Sequence, residues 1–134
     1  MNEHGLDILI PMLPEELIQH ACLAQERAKA PYSNYTVGAA LLTEDNTIIL
    51  GCNIESKAYP TTMCAERVAI YSAVSRGITK FISIAVVTQD GETPCGSCRQ
   101  VMYEYAGNIP VYIADLDGNE NCIQLNELLP HPFL

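Results

Sequence analysis

The chain has 134 residues, enough for one domain with a substantial core and short for two. Hydrophobic residues make up 49% and charged residues 17%, which excludes a disordered chain, and no apolar run reaches membrane-spanning length. Net charge is −9, and the seven cations (Arg27, Lys29, Lys57, Arg67, Arg76, Lys80, Arg99) are scattered, which excludes a phosphate-tracking face for DNA or RNA and leaves a small neutral partner as the expectation.

Along the chain, Pro14, Glu15 and Glu16 open a helix over residues 13–30 with Leu17, Ala21 and Ala24 or Ala28 as its apolar stripe. The turn "PYSNY" (31–35) leads to a small apolar strand over 36–43. "EDN" then reverses the chain into a second strand over 47–55, giving a hairpin. Residues 61–77 read as a helix with a Thr cap and Gly77 at its end. "FISIAVVT" (81–88) is a buried strand, 95–107 a helix closed by Gly107, 110–115 a strand and 121–125 a short strand. Residues 126–130 form a last helical turn. The order α-β-β-α-β-α-β-β predicts one mixed sheet with helices on both faces, as a single domain over 1–134. Both cysteine-bearing helices follow strands, which sets Cys64, Cys95 and Cys98 near strand ends, where α/β proteins form ligand sites.

The six cysteines are Cys22, Cys52, Cys64, Cys95, Cys98 and Cys122. No basic segment followed by an apolar stretch opens the N-terminus, so a secretory signal is not expected and the cytoplasm is. In a reducing compartment, paired cysteines are more often metal ligands or catalytic groups than disulfides. "PCGSC" alone leaves three readings open: a redox pair, part of a zinc site, or no role. A zinc ribbon needs a second CxxC, and none exists.

"MCAER" (63–67) adds Cys64 and Glu66, two positions apart at a helix start. A catalytic zinc takes three protein ligands and keeps a fourth position for water. Cys64, Cys95 and Cys98 supply three, and Glu66 can reach that water without binding metal. Cys-x-Glu followed by Pro-Cys-x-x-Cys resembles the zinc nucleobase deaminase signature in its three-cysteine form. Arg67, beside Glu66, is placed to offset thiolate charge by hydrogen bonding to ligand sulfur. His4, His20 and His131 lie outside both motifs and are rejected as ligands. Cys22, Cys52 and Cys122 read as small buried hydrophobes.

With "APYSNYTVGAALLT", "GCNIE", "CAER", "PCGSCRQV" and "ELLPHPF" taken together, the chain resembles the cytidine deaminases of the small homotetrameric type, within the cytidine/deoxycytidylate deaminase superfamily. The resemblance runs from about Arg27 to Phe133. It implies a three-layer α-β-α sandwich with a mixed five-stranded sheet and one Zn²⁺ per chain on Cys64, Cys95 and Cys98. Glu66 would shuttle protons in the hydrolysis of cytidine or deoxycytidine to the uridine product, with release of ammonia, in pyrimidine salvage. The Ala65 N–H would face the pyrimidine carbonyl, and Asn53 and Glu55 would hold the ribose hydroxyls. Tyr35 stands where the family usually carries a Phe packed on the base. Tyr59 and Phe133 would serve active sites shared between subunits of a tetramer. "ESKAY" (55–59), Pro60, a short loop over 88–95, His131 and Pro132 depart from the family pattern. These departures keep a deaminase of blasticidin S or another modified cytosine nucleoside as the alternative; a purely structural zinc module is the rival from another class.

Overall fold

The computed structural model describes residues 12–134, so His4 lies outside the described residues. The elements are α1 (Pro14–Gln25), β1 (Gly38–Thr43), β2 (Ile48–Cys52), a short 3-10 turn (Tyr59–Thr61), α2 (Ala65–Ser75), β3 (Phe81–Val87), α3 (Gly96–Ala106), β4 (Pro110–Ala114), β5 (Glu120–Gln124) and α4 (Leu125–Leu128). They form one five-stranded sheet in the order β2-β1-β3-β4-β5. The β3–β4 pair is parallel, and the β1–β2, β1–β3 and β4–β5 pairs are antiparallel, so the sheet is mixed.

Alternation along β1 builds both faces. Ala39 and Leu41 join Ile49, Ala69, Ile70, Ile84, Val86 and Met102 in a core under α2 and α3. Ala40 and Leu42 join Leu17, Ala21, Ala85 and Val87 in a second core under α1. With helices on both sides, every residue of β1 is buried, and the expected three-layer sandwich is present. Two glycines set the helix-to-sheet distance. A Cβ on Gly38 would lie 2.0 Å from the Ala21 carbonyl oxygen, and one on Gly51 would lie 2.2 Å from that of Ala65. Gly51 thus lets the first turn of α2 sit directly on β2.

The structure shifts three boundaries. α1 stops at Gln25 rather than residue 30. The residue before Pro31 is pushed out of the helical region, and Lys29 instead bridges Ile54 in parallel, exchanging Lys29 N–H to Asn53 O (2.9 Å) and Glu55 N–H to Lys29 O (2.8 Å). β2 ends at Cys52, with Ile54 making an isolated bridge to Met63. That bridge keeps the chain extended up to the helix, so α2 begins at Ala65 and its N-cap is Cys64, not a threonine. Cys22 and Cys52 are half-buried; Cys122 corrects the expectation of a buried thiol, because it lies exposed on the edge strand β5.

Candidate active site

Two helix starts meet at one end of the sheet. Cys64 is the N-cap of α2, Cys95 is the N-cap of α3, and Cys98 lies in the first turn of α3. Both helix starts direct partial positive charge at the sulfurs, which favours thiolate. The three Sγ atoms lie within 4.8 Å of one another, and Cys64 Sγ to Cys95 Sγ is 3.9 Å. A tetrahedral zinc with Zn–S bonds of about 2.3 Å needs sulfurs about 3.8 Å apart. The donor set therefore fits zinc in both chemistry and spacing.

The local electrostatics call for a cation. Hydrogen bonding from Cys98, reinforced by Arg67, brings the Cys64 thiol down to about 5. Cys98 moves the opposite way, because it donates to Cys64 and is buried. Two thiolates side by side are thus disfavoured at Cys64 and Cys98 alone, and a divalent cation would relieve that repulsion. Arg67 Nη2 donates to Cys64 Sγ at 3.2 Å, and this contact raises the guanidinium pKa further. Arg67 Nε is buried and has no hydrogen-bond partner among the described residues.

Glu66 follows one residue into α2 and is only 4% exposed. Burial, with the neighbouring Cys64 charge, pushes its carboxyl up to about 7. It lines a cavity of about 290 Å³ together with Cys64, Cys95, Tyr35, Asn53 and Glu55. That volume sits at the small end of the range for small-molecule sites, about 300–1,000 Å³.

The opposite wall is held by its own side chains. Asn53 is buried between β2 and the 31–37 loop; its Oδ1 accepts from Val37 N–H (2.8 Å) and its Nδ2 donates to Tyr35 O (2.7 Å). One donor and one acceptor site of the carboxamide remain free. Glu55 accepts from Tyr32 N–H (2.9 Å), Ser33 N–H (3.2 Å) and the Ser33 hydroxyl. The Ser33 hydroxyl and the Tyr32 amide hold its carboxyl below the usual range. Tyr35 is half-buried; burial and its bond to Asp90 push its phenol up to about 12.

Six residues expected from the sequence therefore line one cavity, Cys64, Cys95, Glu66, Asn53, Glu55 and Tyr35, and the Cys98 sulfur lies within 4.8 Å of those of Cys64 and Cys95. Ala65, fully buried, is the first residue of α2, where a helix leaves its N–H without an intrahelical acceptor. Tyr59 and Phe133 do not join the cavity and are 76% and 81% exposed. The sequence reading missed Arg99 and Gln100, although both stand in "CGSCRQ". Arg99 donates to Pro94 O (2.7 Å), Leu128 O (2.7 Å) and Thr93 Oγ1 (2.8 Å), fixing the loop that delivers Cys95. Gln100 clasps the Phe133 backbone, accepting from its N–H (2.9 Å) and donating to its carbonyl (3.2 Å). Thr88, Asp90 and Glu92, which shape the neighbouring loop, carry no local signal.

Three thiols and a buried carboxylate beside a small cavity, on a three-layer α-β-α sandwich, define a zinc-dependent hydrolytic deaminase acting on a nucleobase. The family described as the cytidine and deoxycytidylate deaminase zinc-binding region matches residues 12–113. A cytidine deaminase of Sporosarcina psychrophila is 48% identical over 122 residues, covering 89% of this chain and 90% of the relative. The 1.6 Å crystal structure of cytidine deaminase from Burkholderia pseudomallei aligns with a TM-score of 0.88 and 41% identity, covering 91% of this chain and all of that one. A blasticidin-S deaminase of Bacillus cereus is 33% identical over 108 residues, covering 73% of this chain and 76% of the relative. The chain belongs to the cytidine and deoxycytidylate deaminase family.

Proposed function

We propose that this protein hydrolyses cytidine and deoxycytidine to uridine and deoxyuridine, releasing ammonia, with one Zn²⁺ per chain on Cys64, Cys95 and Cys98. The observation that carries the reading is Glu66, buried at the cavity wall beside the three sulfurs and shifted towards neutrality. Zinc bound there supplies a water whose pKa is lowered towards about 7. Glu66 would take one proton of the attacking water and deliver it to ring N3, then take the remaining hydroxyl proton from C4 and pass it to the amine, which leaves as ammonia as the C4 carbonyl forms. A carboxyl near neutrality suits a group that must both accept and return a proton. The Ala65 N–H donates to the base carbonyl, and Asn53 and Glu55 offer their remaining positions to the ribose hydroxyls. Arg67 offsets the surplus negative charge of three thiolates through Cys64.

Assembly completes the site in this reading. Tyr59 and Phe133 are large, apolar and exposed, and Gln100 holds the Phe133 backbone in place. Phe133 fits a role over the base in a neighbouring subunit of a homotetramer, and Tyr59 a role near the interface between subunits. Among the described residues no helix is long and apolar enough to cross a membrane. A net charge of −9 without a cationic cluster fits a free nucleoside in the cytoplasm, in pyrimidine salvage, better than a nucleotide or a nucleic acid.

Zinc content and ammonia release from cytidine, deoxycytidine, cytosine, cytidine monophosphate and blasticidin S test the reading together. One zinc per chain, with fastest release from the two nucleosides, is expected. Preference for blasticidin S would select the alternative, and full zinc without any release would leave a structural zinc module. Refolding Glu66→Ala chains with Phe133→Ala chains tests the shared site: activity above either parent is expected. Mixed tetramers no more active than the Phe133→Ala parent would end that model.

A further inference from the structure

Two loops form the cavity mouth, and they are joined across it. Residues 31–37 carry Ser33 and Tyr35; residues 88–95 carry Thr88 and Glu92 and lead into Cys95. The first loop is anchored at its base by Asn53 and Glu55. The second is anchored at its far end by Arg99. Between these anchors, the Tyr35 hydroxyl donates to Asp90 Oδ1 at 2.5 Å, and Gln89 Nε2 donates to Asn34 O at 2.7 Å. Asn34 (φ 58°) and Gly91 (φ 78°) both adopt left-handed backbone, so each loop turns sharply next to its link. Asp90 is itself steadied by Thr88 Oγ1 and Glu92 N–H, each at 3.4 Å.

We propose that the Tyr35–Asp90 hydrogen bond is a latch between the nucleoside-binding wall and the loop that delivers Cys95, and that both residues are positioning residues for the nucleoside. The proposal rests on the deaminase reading for its substrate, and the latch itself rests on the geometry alone. The Tyr35 ring lines the cavity, and its hydroxyl is committed to the other loop, which fixes where the ring stands before substrate arrives. Without the latch, substrate binding must order both loops, and that cost falls on affinity. The three sulfurs and Glu66 keep their own contacts, so the effect falls on binding of the nucleoside rather than on turnover of the bound complex.

The test uses zinc-loaded enzyme carrying Tyr35→Phe, Asp90→Ala, or both. Losing one hydrogen bond to an exposed carboxylate corresponds to roughly three- to tenfold in affinity. The KM for cytidine should rise by about that factor in each single variant, with kcat within about twofold. The double variant should be no worse than the worse single, because both remove the same bond. An unchanged KM in Tyr35→Phe, a fall confined to kcat, or single effects that multiply in the double variant would overturn the latch. Amide exchange gives a readout independent of turnover. Gly91 and Glu92 donate to Thr88 Oγ1 at 2.7 and 3.1 Å inside this loop, and their exchange should quicken in Tyr35→Phe. Unchanged exchange would also overturn it. If the parent enzyme releases no ammonia from cytidine, the deaminase reading fails and exchange alone decides the latch.

Discussion

Glu55 and Glu66 face the same cavity and are driven in opposite directions. Glu66 is buried beside Cys64, and its carboxyl rises to about 7. Glu55 is half-buried and accepts from Ser33 and Tyr32, and its carboxyl falls. The same contrast runs through each wall. On the metal side, Cys98 is fully buried, Cys64 and Cys98 are driven in opposite directions, and Arg67 Nε has no partner among the described residues. On the opposite wall, Asn53 and Glu55 are held by backbone groups of the 31–37 loop, the Val37 and Ser33 N–H groups donating to them and the Tyr35 carbonyl accepting from Asn53. One wall holds unmet electrostatic demand that a cation and a reacting proton can meet; the other is already organised by its own hydrogen bonds. A substitution should therefore cost turnover on the first wall and stability on the second.

Glu66→Gln gives the largest expected effect. It keeps the side-chain shape and removes the titrating proton, so turnover should drop by roughly 10²–10⁴-fold. Zinc content should stay at one per chain, because the thiolates are untouched. The metal-free variant should melt no lower than the metal-free parent, since the substitution removes the charge of a buried side chain whose ionised form the fold disfavours. Metal analysis, ammonia release and thermal melting read the three arms; a clearly lower melting point would place Glu66 with the satisfied wall instead.

Asn53→Ala should do the reverse. It strands the Val37 N–H and the Tyr35 carbonyl in a partly buried position, which costs on the order of 1–3 kcal/mol. A melting point several degrees lower is expected in metal-free and zinc-loaded protein alike, and zinc stoichiometry should not change. Retained stability with weakened nucleoside binding would show that Asn53 serves the ligand more than the loop.

The two walls also differ in how far they could be read from sequence. The metal wall rests on short-range spacing at helix starts: Cys64 and Glu66 are two apart, Cys95 and Cys98 three apart. The strands that aim those helices were visible as apolar runs. The opposite wall depends on pairings between distant segments. Lys29 bridges Ile54, which truncates α1 and draws residues 29–55 around the site, yet "ERAKA" has ordinary helical propensity. Asn53 and Glu55 stood out through the resemblance of "GCNIE", but their backbone partners in the 31–37 loop did not. The Tyr35–Asp90 bond joins residues 55 positions apart, and no local pattern announces it. Cys122 looked like a core thiol because the apolar content of "NCIQL" does not reveal that β5 is a sheet edge.

The smallest effect belongs to Glu55, and it separates the two carboxylates by pH. The folded pKa of Glu55 lies below its ordinary value of 4.5, so its ionised form is the one the fold favours. Its contribution to stability is therefore complete above about pH 4.5 and disappears as pH falls through the lower folded value. Glu55→Gln cannot accept on both oxygens from Tyr32, Ser33 and the Ser33 hydroxyl, so it should melt slightly below the parent at pH 7. That gap should narrow as pH falls below 4.5, because the contribution of the parent carboxylate is then being lost. Asp45, Asp90 and Asp115 are also shifted downwards, but they are common to both proteins and cancel in the difference. Glu66 has the opposite sign: its neutral form is the one the fold favours, so acid removes none of its contribution. A gap that stays constant from pH 7 to pH 3, or that is absent at pH 7, would mean that the Glu55 hydrogen bonds add nothing to folding and that this wall is organised by Asn53 alone.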